Sequence, residues 1–99
     1  MDIYKKLRTI KTDKLTNNTQ KAALRLLSAQ GKWLSQPDLA RTVRSASARV
    51  RDLRKPQFGS FRVDCKRAGE LKKRGDAFYY RINPNTVTGR QLNTVFHTS

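Results

Sequence analysis

Between Pro37 and Lys55 the chain reads PDLARTVRSASARVRDLRK, and its few apolar residues fix a register. Leu39 and Val43 share a helical face at i, i+4, with Ala40 beside them, and Val50 and Leu53 share one at i, i+3. The pattern predicts two short helices joined by a tight turn. Ser35 is placed to cap the first helix, and Pro37 falls in its first turn, where a missing N–H costs nothing. Ser45, just after Arg44, is placed to cap the second. On a wheel of about 100° per residue, Ala46, Val50 and Leu53 point inward. Ala48, Arg51, Asp52 and Lys55 then point away from the core, with Ser47 and Arg54 on the shoulder.

Beyond Lys55 the signals change. Pro56 stops the helix and Phe58-Gly59 bends the chain. Phe61, Val63 and Cys65 alternate with Arg62, Asp64 and Lys66; Phe78, Tyr80 and Ile82 alternate with Ala77, Tyr79 and Arg81. Two period-2 runs around a polar segment predict a β-hairpin. Its inward side chains, Phe61, Val63, Phe78, Tyr80 and Ile82, should close the core, and Cys65 on the same face should be a packed thiol. The hairpin tip, Arg67 to Gly75, carries Lys72, Lys73 and Arg74 in a row between glycines. From Arg41 to Arg74 there are twelve cations and three acids, so +9 of the chain's +15 is concentrated there.

Upstream, Asn17-Asn18-Thr19 is rich in capping residues and predicts a helix running to about Gln30, with Gly31 as its stop. Ala23, Leu24, Leu26, Leu27 and Ala29 form its apolar stripe; Lys21 and Arg25 face water. Lys32-Trp33-Leu34 suits a short strand, with Trp33 expected to pack in the core or at a hinge rather than to serve as a base-stacking platform. Residues 1–18 form a basic N-terminal arm or helix, with Ile3, Leu7 and Ile10 on one side. Residues 19–84 form the main domain. The tail, residues 85–99, can hold a short helix from Thr88 whose Leu92, Val95 and Phe96 should dock on the chain's own domain or on a second copy, its own domain first; His97 is expected to be exposed.

A chain of 99 residues with 36% apolar content predicts one domain and a small core. A net charge of +15 and a pI near 11.0 call for a polyanionic partner, with nucleic acid the commonest. No apolar run approaches the roughly 18 residues of a membrane span, and no secretory signal is visible, so a cytoplasmic location is expected. Cys65 is the single cysteine, so no internal disulfide is expected. Neither a metal-ligand cluster nor a cofactor motif is present in the sequence. Asp38, Asp52, Asp64, Glu70 and Asp76 are scattered among cations without a nucleophile and base beside them, so an enzyme is not expected.

The stretch Leu39-Ala40, Val43, Val50 and Leu53, followed by a basic strand pair, resembles the helix-turn-helix of winged-helix DNA-binding proteins over roughly residues 19 to 83. That resemblance implies an α+β winged-helix fold: a three-helix helix-turn-helix core, a C-terminal β-hairpin wing and short terminal extensions. One departure is that Arg44 stands where such turns often carry glycine, so the turn should be built differently. The implied function is sequence-specific binding of double-stranded DNA by a small transcriptional regulator, or by a replication or recombination accessory factor of the phage and mobile-element type. Ser47, Ala48, Arg51, Asp52 and Lys55 would approach base edges, with Asp52 either accepting from a cytosine or holding a neighbouring arginine. Arg44, Arg54, Lys66, Lys72, Lys73 and Arg74 would contact the backbone. Homodimerisation is compatible with this role, and no small-molecule ligand is expected. Two other readings stay open from the residues: an RNA-binding component stacking bases on Tyr4 or Tyr79, and an inhibitor of an acidic protein.

Overall fold

Asn17 opens helix α1 (Asn18–Ser28): its extended backbone lets the side chain accept the Gln20 N–H at 2.7 Å. A computed structural model describes residues 5, 7, 8, 10 and 17–96 of the chain. From Asn17 onward it is a small α+β fold with four α-helices and one three-stranded antiparallel sheet. After α1 the chain passes through Gly31 at φ +84° and enters strand β1 (Leu34–Ser35). Helices α2 (Gln36–Ala40) and α3 (Ala46–Leu53) follow, then strands β2 (Val63–Arg67) and β3 (Phe78–Ile82), and last helix α4 (Gly89–Phe96).

The sheet order is β1-β3-β2. Leu34 pairs with Tyr80, Val63 with Ile82, and Arg67 with Phe78. The short strand expected around Lys32–Leu34 therefore exists, shifted to Leu34–Ser35, and completes the sheet. One contiguous core joins Ala22, Ala23, Leu26 and Leu27 of α1 to Leu39, Val43, Val50, Leu53, Phe61, Val63, Tyr80 and Ile82. Leu92, Val95 and Phe96 of α4 belong to the same core, and the Val95 carbonyl accepts from the buried Gln20 side-chain amide at 3.2 Å. The tail is thus an integral layer of the domain.

Leu7 is buried in that core and Ile10 packs against it. These residues of the expected N-terminal arm lie on the chain's own body. Residues 1–4, 6, 9 and 11–16 of the arm, Ile3 and Tyr4 among them, fall outside the described residues, as does His97.

The hairpin departs from expectation in a consistent direction. Val63 and Ile82, at one end of the strand pair, are buried, whereas Cys65 is exposed and Phe78 keeps 39% of its surface in contact with solvent. The alternation is correct, but Cys65, Arg67 and Phe78 at the outer end of the strand pair are left uncovered, with a recess between them and α3. The outer half of the hairpin projects past the core, so Cys65 is not a packed thiol and Phe78 does not close the core. The tip beyond it is an ordered turn. Ala68 is fully buried and donates its N–H to the Ala77 carbonyl at 2.9 Å. Glu70 accepts the Arg67 N–H at 3.2 Å.

Candidate nucleic-acid interface

Helix α2 starts as expected: Ser35 Oγ accepts the Asp38 N–H at 3.2 Å, and Pro37 occupies the first turn. Leu39 and Val43 are buried and hold the turn down. The Arg44 N–H donates to Asn18 Oδ1 at 3.0 Å, which ties the turn to the start of α1. The left-handed residue is Ser45, at φ 52° and ψ 53°, not Arg44. Ser45 stands at the N-cap position of α3, yet its side chain makes no capping bond. The usual side-chain cap needs an extended backbone at that residue, and a left-handed one aims the hydroxyl elsewhere. The expected Ser45 cap is therefore absent, and only the Ser45 carbonyl enters the helix, accepting Arg49 N–H at 3.0 Å.

Ala46, Val50 and Leu53 bury the inner face of α3, as the wheel required. The rest of its surface divides into two flanks and a crest. One flank turns toward α1. There Asp52, with its side chain only 17% exposed, lies 3.2 Å from Arg49 Nε and 3.3 Å from Lys55 Nζ. The Thr19 hydroxyl donates to the same carboxylate at 3.3 Å. These contacts occupy Asp52 within its own chain. Of its two expected roles, base acceptor or holder of an arginine, the geometry is that of the holder.

The other flank turns toward the hairpin. Ser47, Arg51 and Arg54 share a shallow recess of about 170 Å³ with Cys65, Phe78 and Tyr80. Arg54 donates to the Val63 carbonyl at 2.8 Å, so part of its guanidinium clamps α3 to β2. Tyr80 is buried and directs its hydroxyl to Gln36 Oε1 at 3.3 Å. Burial raises its phenol pKa, the Cys65 thiol adds to the rise, and the cations of Arg54 and Arg51 pull it down. Between the flanks runs the crest, with Ala48 half-buried on it, Arg51 exposed at its hairpin edge and Lys55 exposed where it runs past the helix end.

The cations of the hairpin do not all lie on the helix side. Arg67 does, with its guanidinium 5.2 Å from the Phe78 ring. Lys72 and Arg74 are exposed at the tip, and Lys72 is left-handed at φ 57°. Lys66 and Lys73, however, reach aromatic rings on the opposite sheet face: Lys66 over Trp33 at 5.8 Å and Lys73 over Tyr79 at 5.4 Å. Both were expected to contact the DNA backbone, Lys73 as part of the tip beside α3. Strand alternation sends Lys66 outward, and the ordered tip folds Lys73 back. Trp33, expected in the core or at a hinge, is half-buried on that outer face.

Arg67 is a cation of the helix side that sequence reasoning did not select; its place continuing the Phe61, Val63, Cys65 alternation was the available signal. Among the described residues no group of three or more His, Cys, Asp or Glu side chains could hold a metal ion. No helix among them is long and apolar enough to cross a membrane. No family model, curated protein or solved structure matches the chain.

Proposed function

We propose that the chain is a winged-helix protein that binds double-stranded DNA, with α3 in the major groove and the β2–β3 hairpin as the wing on the backbone. One observation carries this reading: the Ser47–Arg51–Arg54 flank of α3 and the projecting half of the hairpin border one recess, so the basic crest and the basic wing lie side by side. The dimensions agree. An α-helix with its side chains is about 10–12 Å across, and a major groove about 12 Å wide admits it. Arg51 is the residue placed to donate two hydrogen bonds to a guanine edge. Ser47, Ala48 and Lys55 approach the bases beside it. Arg44, Arg67, Lys72 and Arg74 supply phosphate contacts, with Arg54 adding the part of its guanidinium not bound to Val63. Asp52 is a positioning residue that fixes Arg49 and Lys55.

A compact module of this kind serves as a transcriptional regulator or as an accessory factor in replication or recombination, and it needs no catalytic group. The test is a competition at fixed salt between duplex DNA and an RNA duplex of the same sequence, with bound protein read by fluorescence anisotropy of a labelled DNA. The expected result is that the RNA duplex fails to displace the DNA at equal concentration, because the deep, narrow major groove of A-form RNA excludes α3. Equal or better displacement by RNA overturns the assignment.

A further inference from the structure

The outer face of the sheet carries its own chemistry. Strand register sets Asp64 opposite Arg81 and Lys66 opposite Tyr79. Trp33 precedes the Leu34–Tyr80 pair by one residue and so lies level with Arg81. The Arg81 guanidinium sits 4.6 Å from the Trp33 ring centroid, while its Nε is 3.1 Å from Asp64 Oδ2. The carboxylate thereby holds a flat cation against a flat ring, and the Arg81 side chain still keeps 38% of its surface in solvent. Lys66 approaches the same indole and Lys73 approaches Tyr79. Both rings are half-buried: each is anchored on the sheet with part of its surface open.

We propose that this face is a second binding surface, for single-stranded nucleic acid. Unpaired bases stack on Trp33, Tyr79 and the guanidinium plane of Arg81, and Lys66 and Lys73 take the phosphates between them. Aromatic rings and arginine planes are platforms for splayed bases, and lysines beside them follow the backbone without regard to sequence. A duplex offers no base faces to such a surface, because its bases are already stacked on one another. Three cations against the single carboxylate of Asp64 leave the face positive, which complements a polyanion. An exposed cation over a ring adds little to folding stability, so gathering three of them on one sheet face calls for a use other than holding the fold. The surface lies across the sheet from the α3 crest, and the inference stands independently of the duplex reading.

Trp33 is the chain's single tryptophan, so its emission reports on this face alone. The full chain is titrated with oligo(dT), with oligo(rU), and with oligo(dT) annealed to oligo(dA). The expected result is quenching of Trp33 by the single strands and little change with the duplex; the stronger quencher of the two identifies whether DNA or RNA is the better ligand. Trp33→Leu and Tyr79→Leu each weaken single-strand binding about ten-fold and leave duplex affinity unchanged, and Trp33→Phe recovers part of the loss. Thermal melts confirm folding, and if Trp33→Leu does not fold, Tyr79→Leu and the wild-type emission still decide. Single strands that bind without changing Trp33 emission overturn the proposal, as does an equal loss of single-strand and duplex affinity in the Leu variants. Failure of the duplex to bind would leave the quenching result untouched.

Discussion

Asp52→Asn separates two accounts of the α3 surface. The carboxylate is mostly buried and joins Thr19 of α1, 33 residues away, to Arg49 of α3 and to Lys55 just past its end. Asparagine keeps the volume and can still accept from Thr19, so the loss is chiefly one of charge. Arg49 Nε is buried and finds no hydrogen-bond partner of good geometry, so the nearby carboxylate is what compensates its charge. Leaving that buried donor without a countercharge costs about 1.5 kcal/mol, within the range for a stranded buried polar group. The Lys55 pair, whose lysine is 55% exposed, adds only ~0.3 kcal/mol. For a domain of this size ~2 kcal/mol lowers the melting midpoint by roughly 8–16 °C, which calorimetry resolves easily. Base preference should not change, because Asp52 faces the protein; affinity for all duplexes should hold or rise together as one negative charge leaves. An Asn variant that melts with the wild type, yet changes preference at one base pair, would refute this reasoning and make Asp52 a reader.

Arg51→Ala should cost about 1–3 kcal/mol on a cognate site and blur one base position in anisotropy titrations; a uniform loss over all sequences would reduce Arg51 to a phosphate contact. Replacing Lys72 and Arg74 with alanine should flatten the dependence of log K on log salt by up to ~0.9 per lost phosphate contact, and an unchanged slope would remove the tip from the interface. Leu92→Ala, at a fully buried site of α4, should destabilise the fold by about 2–5 kcal/mol in urea, whereas a neutral result would detach the tail from the domain. Tyr80 gives a pH prediction. Its pKa is raised above the ordinary 10.0, so the folded state holds its proton longer than the unfolded chain. Its contribution is therefore complete below about pH 10 and is lost as pH rises through the higher folded value. Tyr80→Phe should flatten the alkaline limb of a stability–pH curve at a cost of about 1 kcal/mol for the lost bond to Gln36.

Periodicity made much of this fold legible. Helix α1, the α2–α3 pair, the hairpin and the docking helix α4 all follow from spacings of three, four or two, because each element buries one stripe. The inward triplet Ala46, Val50 and Leu53 was readable for the same reason. Periodicity does not say where a covering layer stops, which is why Cys65 and Phe78 were assigned to the core face but lie beyond its edge. Nor does it show partners distant in sequence. Thr19 beside Asp52 and Arg81 over Trp33 come from helix packing and strand register, which place Asp52 against α1 and Trp33 on the outer sheet face. Arg44 in place of the usual glycine made a differently built turn the expectation, and the chain puts the left-handed residue at Ser45. There the Arg44 amide is free to reach Asn18, and the serine loses its capping bond. Lys73 was misplaced because the tip, expected as an open loop, is folded around the buried Ala68.

Selection of bound duplexes from a random-sequence pool, run in parallel on the wild type and Arg51→Ala, bears most directly on the role of α3. Enrichment of a defined motif by the wild type, with a guanine position in that motif degraded in the variant, is the predicted result. Indistinguishable, unenriched pools from the two proteins would mean that the exposed crest of α3 reads no bases.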